Sequence, residues 1–191
     1  MKHFLKGVVV AVIAAACSHA AFAEDAHVAP IKSYVTSKVT WLKDPALIAA
    51  IKAQNAKNAA LSEAEIIALD KKWRAEVEAA DKPMIKAILD NEASKFLKAQ
   101  QAASSGVISE VFVMDNKGLN VGQSEITSDY WQGDEAKFKK SFGVGKDAIF
   151  VDGVEKDEST QALQSQVSLT IVDEAGAPIG AVTIGINVDA L

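Results

Sequence analysis

Near Gly106 the period of the chain changes, and this limits what it can fold into. Upstream, alanine, lysine, glutamate and leucine dominate, and no glycine falls between Gly7 and Gly106. Downstream, glycines, β-branched residues and two-residue alternation take over. Apolar residues at helical spacing followed by apolar residues at strand spacing predict helices first and a sheet second, an α+β order.

Three helices are expected in the first half. One runs near Pro45 to Ala60, with Asp44 as N-cap and Pro45 at the first helical position. A second opens with Ser62-Glu63-Ala64-Glu65, the spacing of a capping box, and aligns Ile66, Leu69, Trp73 and Val77 on one face. At that spacing Trp73 reads as core rather than as a ligand stacker. A third, long helix opens at Asp81 with Pro83 in its first turn, and stripes Ile85, Ile88, Leu89, Phe96 and Leu97 along one side. Pro30 to Trp41 fits neither period.

The second half reads strand, strand, helix, strand, strand, strand. The strands are Val107–Met114, Leu119–Gln123, Ala148–Glu155, Gln161–Asp173 and Pro178–Val188. Asp115-Asn116-Lys117-Gly118 turns the first pair and Glu174-Ala175-Gly176-Ala177 the last. Gly133-Asp134 is expected to cap a short helix holding Phe138 and Phe142. Tight turns between five strands predict an antiparallel sheet. Val167, Leu169 and Ile171 share a face with Val182, Ile184, Ile186 and Val188, which the third helix is expected to cover. The other face carries Gln166, Ser168, Thr170, Ala181, Thr183, Gly185 and Asn187, and is either solvated or the floor of a pocket.

The start of the chain reads as an export signal. A basic MKHFLK, an apolar Gly7–Ala16 and Ala21-Phe22-Ala23 before Glu24 predict cleavage after Ala23 and a periplasmic location. The alternatives are a retained anchor, for which the apolar run is short, and a lipoprotein through Cys17, for which Ala14-Ala15-Ala16 is the wrong approach. Cys17 is the single cysteine, so about 168 mature residues must hold their fold without disulfides. Without Lys2 and Lys6, the 20 basic residues become 18 against 25 acidic, a net charge of about −7. That balance argues against nucleic acid and anionic membrane surfaces. No second membrane segment is expected.

The loop LNVGQSEITSDYWQGDE gathers Ser124, Thr127, Ser128, Asp129, Tyr130, Trp131 and Gln132. Adjacent aromatics among hydroxyl, amide and carboxylate groups suit a small-molecule pocket. As neighbours, Tyr130 and Trp131 are expected to point oppositely, one to a ligand and one to the core. Asp152, at the end of a strand, and Asp129 are placed to accept bonds from an amine, and an aromatic wall attracts an ammonium. The expected ligand-binding residues are Ser124, Asp129, Tyr130, Trp131, Asp152, Gln166 and Ser168. Histidines 3 and 19 leave with the signal and His27 is expected at a loose end, so histidine-based catalysis and zinc binding are not expected in the folded body. The Asp152–Glu158 acidic cluster reads as a solvated hairpin tip, with calcium as the other possibility. No catalytic residue, metal or cofactor is assigned.

A long helix followed by β-β-α-β-β-β resembles the Cache family of PAS-like extracytoplasmic sensor domains. The resemblance covers roughly residues 81–188 and rests on VFVMDNKGLNVGQSEITSDYWQGDEAKF, IFVDGVEKDES and QSQVSLTIVDEAGAPIGAVTIGINV. It implies a five-stranded sheet with an amino acid, amine or short carboxylate held between sheet and loops, feeding a sensor kinase or chemoreceptor. The division that follows is a signal peptide (1–23), a helical region (24–80) and a Cache domain with its long N-terminal helix (81–191). The chain departs from the family in showing no output segment, and in having Arg74 as its single arginine, outside the loop where the family often grips a carboxylate. A ligand carboxylate is then left to lysine, backbone amides or the helix start at Gly133. The implied role is a stand-alone binder or sensor accessory. The alternative is an interaction protein with a vestigial pocket, whose helical half docks to a membrane sensor or a second copy as a homodimer.

Overall fold

In the computed structural model, residues 26–156 and 163–191 are described. The signal peptide with its Ala23/Glu24 site and Cys17, and Asp157 and Glu158 of the acidic cluster, lie outside them. The ambiguous segment is helical. Helix α1 (Val28–Lys38) buries Ile31 and Val35 one turn apart, and a 3-10 turn follows at Thr40–Lys43. In α2 (Pro45–Asn58) the Asp44 carboxylate accepts from the Ala46 N–H at 2.8 Å, as expected of an N-cap before proline. In α3 (Glu63–Glu78) both halves of the Ser62/Glu65 capping box form, and its hydrogen bonds hold the Glu65 carboxyl below the usual range.

The long third helix is two helices, α4 (Pro83–Leu89) and α5 (Glu92–Ala103). Asn91 causes the break. Its side chain accepts from the Ser94 N–H at 2.8 Å, capping α5, and donates to the Val121 carbonyl at 2.8 Å. Asn and Asp at a helix interior offer the backbone these competing bonds. The start of α4 has no side-chain cap of its own at Lys82. Glu76 of α3 accepts from the Met84 and Ile85 amides at 2.7 and 3.1 Å instead.

The sheet is antiparallel throughout. Its strands are β1 (Ile108–Met114), β2 (Asn120–Gln123), β3 (Ile149–Lys156), β4 (Leu163–Val172) and β5 (Pro178–Asn187), in spatial order β2-β1-β5-β4-β3. With its preceding helices this is the α+β, PAS-like arrangement that the Cache resemblance implies. Between β2 and β3 a single turn, α6 (Ala136–Lys139), carries Phe138, stacked on Phe142 with centroids 5.0 Å apart. Helix α6 begins after Glu135 without a side-chain cap, so Gly133-Asp134 precedes the helix rather than capping it. Val188, expected at the end of β5, starts a 3-10 turn instead.

Register fixes the two faces. One row runs Val111, Ile184, Val167, Val151 across β1, β5, β4 and β3, and the next runs Val113, Val182, Leu169, Ile149. This aliphatic face shares a core with Ile31, Val35, Leu47, Ile48, Ile51, Ala93 and Leu97. Cover therefore comes from α1, α2 and α5. Ile85, Ile88 and Leu89 of the expected stripe lie elsewhere, against Trp73 and Leu119. The opposite face carries the rows Phe112, Thr183, Ser168, Phe150 and Glu110, Gly185, Gln166.

Candidate functional site: a groove on the polar face of the sheet

Phe138 packs on Phe112, Met114 and Ala181, with Phe142 beside it, and so fills one end of the polar face. The other end is open. There a groove of about 340 Å³ is lined by Glu135, Lys137, Asp152, Gly153, Glu155, Lys156, Gln164 and Gln166. Beside it on β1, Glu110 accepts through one oxygen from the Gln164 and Gln166 amides at 3.0 and 2.9 Å. Gln164 in turn accepts from the Ser109 hydroxyl at 2.9 Å. This network needs Gly185 beneath it. A Cβ there would stand 2.6 Å from Ser109 Oγ, 2.7 Å from Glu110 Cγ and 2.9 Å from Gln164 Nε2.

The charges around the groove are unevenly used. Lys137 pairs with Glu135 at 3.0 Å, and its ammonium lies 5.5 Å from the centroid of the Phe112 ring. Glu110, Asp152 and Glu155 have no ion-pair partner among the described residues, and against these three acids only Lys156 of the lining bases is likewise unpaired. The surplus is negative, which favours a ligand that brings positive charge. His27 is tied to this wall rather than loose, since its Nε2 lies 2.9 Å from the Asp152 carbonyl, which also accepts from the Ser165 hydroxyl at 2.8 Å.

Of the residues expected to contact ligand, Asp152 and Gln166 line this groove. Ser168 lies in the neighbouring row, fully buried, its hydroxyl 2.9 Å from that of Thr183. Ser124 extends the β1–β2 pairing, its Oγ accepting from the Val111 N–H at 2.9 Å.

The aromatic loop goes elsewhere. It does not fold over the polar face but pairs back along residues 118–120, with the Asn120 N–H donating to Tyr130 at 3.0 Å and the Gln132 N–H to Gly118 at 2.8 Å. Tyr130 and Trp131 do not point one to a ligand and one to the core, because both pack on a single cluster with Ile66, Trp73, Ile85 and Leu119. Tyr130 stacks on Trp73 at 5.5 Å, and Trp73 donates to the Thr127 carbonyl at 2.8 Å. Burial, with a smaller contribution from Asp115, pushes the Tyr130 phenol well above the usual tyrosine range.

Asp129 is engaged by α3, and the arginine absent from the loop arrives from there. Arg74 Nη1 lies 2.7 Å from Asp129 Oδ1, and Arg74 Nε donates to Asp70 Oδ2 at 2.7 Å. Asp70 Oδ1 accepts the Tyr130 and Trp131 amides, each at 3.0 Å. The Asp70 hydrogen bond, above other causes, raises the guanidinium pKa. Sequence reasoning missed Gln164, which shares the parity of Gln166 on β4 and was within reach of period two. It also missed Glu110, Glu135, Lys137 and Lys156, which only the sheet order and the course of α6 bring together, whereas Glu155, of the acidic cluster expected as a hairpin tip or calcium site, lines the groove.

Among the described residues no group of three or more His, Cys, Asp or Glu is placed to hold a metal ion. No described helix is long and apolar enough to cross a membrane.

No family model matches the chain, and no curated protein matches its sequence. Its structure is similar to solved sensor domains. One is the sensor domain of the Vibrio cholerae histidine kinase DctB, at 12% identity and TM-score 0.49, covering 85% of this chain and 51% of that one. Another is the ligand-binding domain of the Pseudomonas aeruginosa amino acid chemoreceptor PctC with GABA, at 13% identity and TM-score 0.41, covering 83% and 62%. A third is the sensory domain of the Campylobacter jejuni chemoreceptor Tlp3 with isoleucine bound, at 15% identity and TM-score 0.38, covering 84% and 62%. This chain spans about half to three fifths of those structures.

Proposed function

We propose that this protein is an exported, non-enzymatic small-molecule binder of the Cache type that presents an amine-bearing metabolite to a membrane sensor kinase or chemoreceptor. One observation carries the reading: an open groove on the polar sheet face whose acids outnumber its available bases. Asp152 and Glu155 accept from the ligand's ammonium, with Glu110 beside them, and Gln164 and Gln166 read its neutral polar atoms. An amino acid's carboxylate is left to Lys156, which has no ion-pair partner among the described residues, or to Lys137 in competition with Glu135. A simple carboxylate is the poorer fit. The glutamines and carboxylates are assigned here to binding, with no reaction routed through them.

A thermal-shift panel of amino acids, diamines and short carboxylates on the mature chain tests this. At a hundredfold excess over Kd the stabilisation is about 2.7 kcal/mol, a rise in Tm of about 5–10 °C for a domain this size. Asp152→Asn combined with Glu155→Gln abolishes the rise. The packing of the aromatic loop against α3 favours a second reading, in which the chain is an accessory subunit with a vestigial pocket. A flat panel together with capture of a membrane sensor assigns the protein to that reading.

A further inference from the structure

Beneath the aromatic loop lies a knot of buried amides that the groove does not use. Asn120 and Gln123 are fully buried and Gln132 is 2% exposed. Asn120 Nδ2 faces three acceptors: Gln123 Oε1 at 3.0 Å, Thr127 Oγ1 at 2.9 Å and the Asp129 carbonyl at 3.1 Å. Gln132 Nε2 donates to the same Asp129 carbonyl at 3.0 Å, and Thr127 Oγ1 donates to it at 2.7 Å. These bonds fix which end of each amide is nitrogen. Reversing Asn120 would set its oxygen against three acceptors, and reversing Gln132 would set its oxygen against a carbonyl.

With the orientations fixed, the other end of each amide is without a partner. Asn120 Oδ1, Gln123 Nε2 and Gln132 Oε1 are buried atoms with no hydrogen bond. Asp129 Oδ1 differs, since the Arg74 guanidinium stands 2.7 Å from it. The three free atoms are two acceptors and one donor, all on side chains tied to one another or to the Asp129 carbonyl. A guest that donates twice and accepts once complements them. Water does this with a single heavy atom, and buried waters typically make about three such bonds.

We infer that the Asn120–Gln123–Gln132 cluster is an internal site for one long-lived water molecule, closed from solvent by the loop that Arg74 holds to α3. The Asp70–Arg74–Asp129 bridge fastens that loop to α3 at a partly exposed guanidinium, and the Tyr130–Trp73 stack packs the same loop on the same helix. Exchange of the guest with bulk water requires the fastening to open.

A crystal structure of the mature protein at a resolution that orders solvent, with water-oxygen relaxation dispersion, tests this. Density for one water touching Gln123 Nε2 and either Asn120 Oδ1 or Gln132 Oε1 is expected. Dispersion should show a long-lived water whose exchange accelerates about tenfold or more in Arg74→Gln, the change that loss of about 1.4 kcal/mol of closure produces. The inference is overturned if the three amides are paired with one another and no density lies between them. It is equally overturned if exchange in a folded Arg74→Gln variant matches wild type. Should Arg74→Gln fail to fold, Asp129→Asn, which keeps the side chain's size, supplies the same comparison.

Discussion

At the scale of single residues, Asp115 shows how one side chain can fix a turn. It is fully buried at the end of β1, and its two oxygens serve four donors: the Lys117 and Leu119 amides, Asn58 Nδ2 at 2.7 Å and Gln54 Nε2 at 3.1 Å. Asp115→Ala strands the buried Asn58 and Leu119 donors and the half-buried Gln54 and Lys117 ones, and costs about 3 kcal/mol, read from the urea midpoint at unchanged slope. Tyr130 makes a pH prediction. Its folded pKa is raised by burial, with Asp115 adding to the shift. The neutral phenol is therefore favoured in the native state. That stability is fully present below the unfolded tyrosine pKa of about 10 and is lost as pH rises above it. Tyrosinate absorbance of the native protein should lag the free amino acid, and Tyr130→Phe should flatten the alkaline loss of stability. Unchanged alkaline behaviour in that variant removes Tyr130 as its cause.

Among the elements, the loop from Ser124 to Gln132 is where sequence and structure part. The strands, the two capped helices and the aliphatic face were legible because each is written in local periodicity or cap chemistry. The break at Asn91 was written in the sequence too, but continuous apolar spacing from Ile85 to Leu97 masked it. The destination of Tyr130 and Trp131 was not legible. It depends on Asp70, Trp73 and Arg74, more than fifty residues away, and nothing local distinguishes an aromatic roof from an aromatic plug. The plug reading makes a prediction. Trp131 donates to the Lys117 carbonyl at 2.9 Å and is half-buried against Leu119 and its neighbours. Trp131→Ala should cost about 2 kcal/mol of stability and leave groove affinity unchanged. Gly118→Ala makes a related test. Its φ is +81°, and an added Cβ would stand 2.5 Å from Gly133 Cα. The strain and the clash together should cost at least about 2 kcal/mol and loosen the loop.

For the whole molecule, the helices and the sheet divide the work. The cover of α1, α2 and α5 keeps the aliphatic face dry, α3 and α4 fasten the aromatic loop, and the polar face is left with one open end. Glu110, Gly185 and Gln166 form a row across three strands at that end, so the groove floor is part of the paired sheet. Gln166 could be chosen from the sequence by parity; Asp152 was expected at a strand's end and lies instead in the middle of β3, where the register with β4 shifts between Val151 and Val154. Their companions on β1 and around α6 could not, because strand order is a property of the assembled sheet.

Backbone amide shifts of the mature protein, followed as the best ligand from the thermal panel is titrated, map where a stabilising amine binds. Saturable shifts are expected at Glu110, Lys137, Asp152, Gly153, Gln164 and Gln166, abolished together in Asp152→Asn combined with Glu155→Gln. Shifts confined to the Ser124–Gln132 loop, with the polar face silent, would contradict binding in the groove.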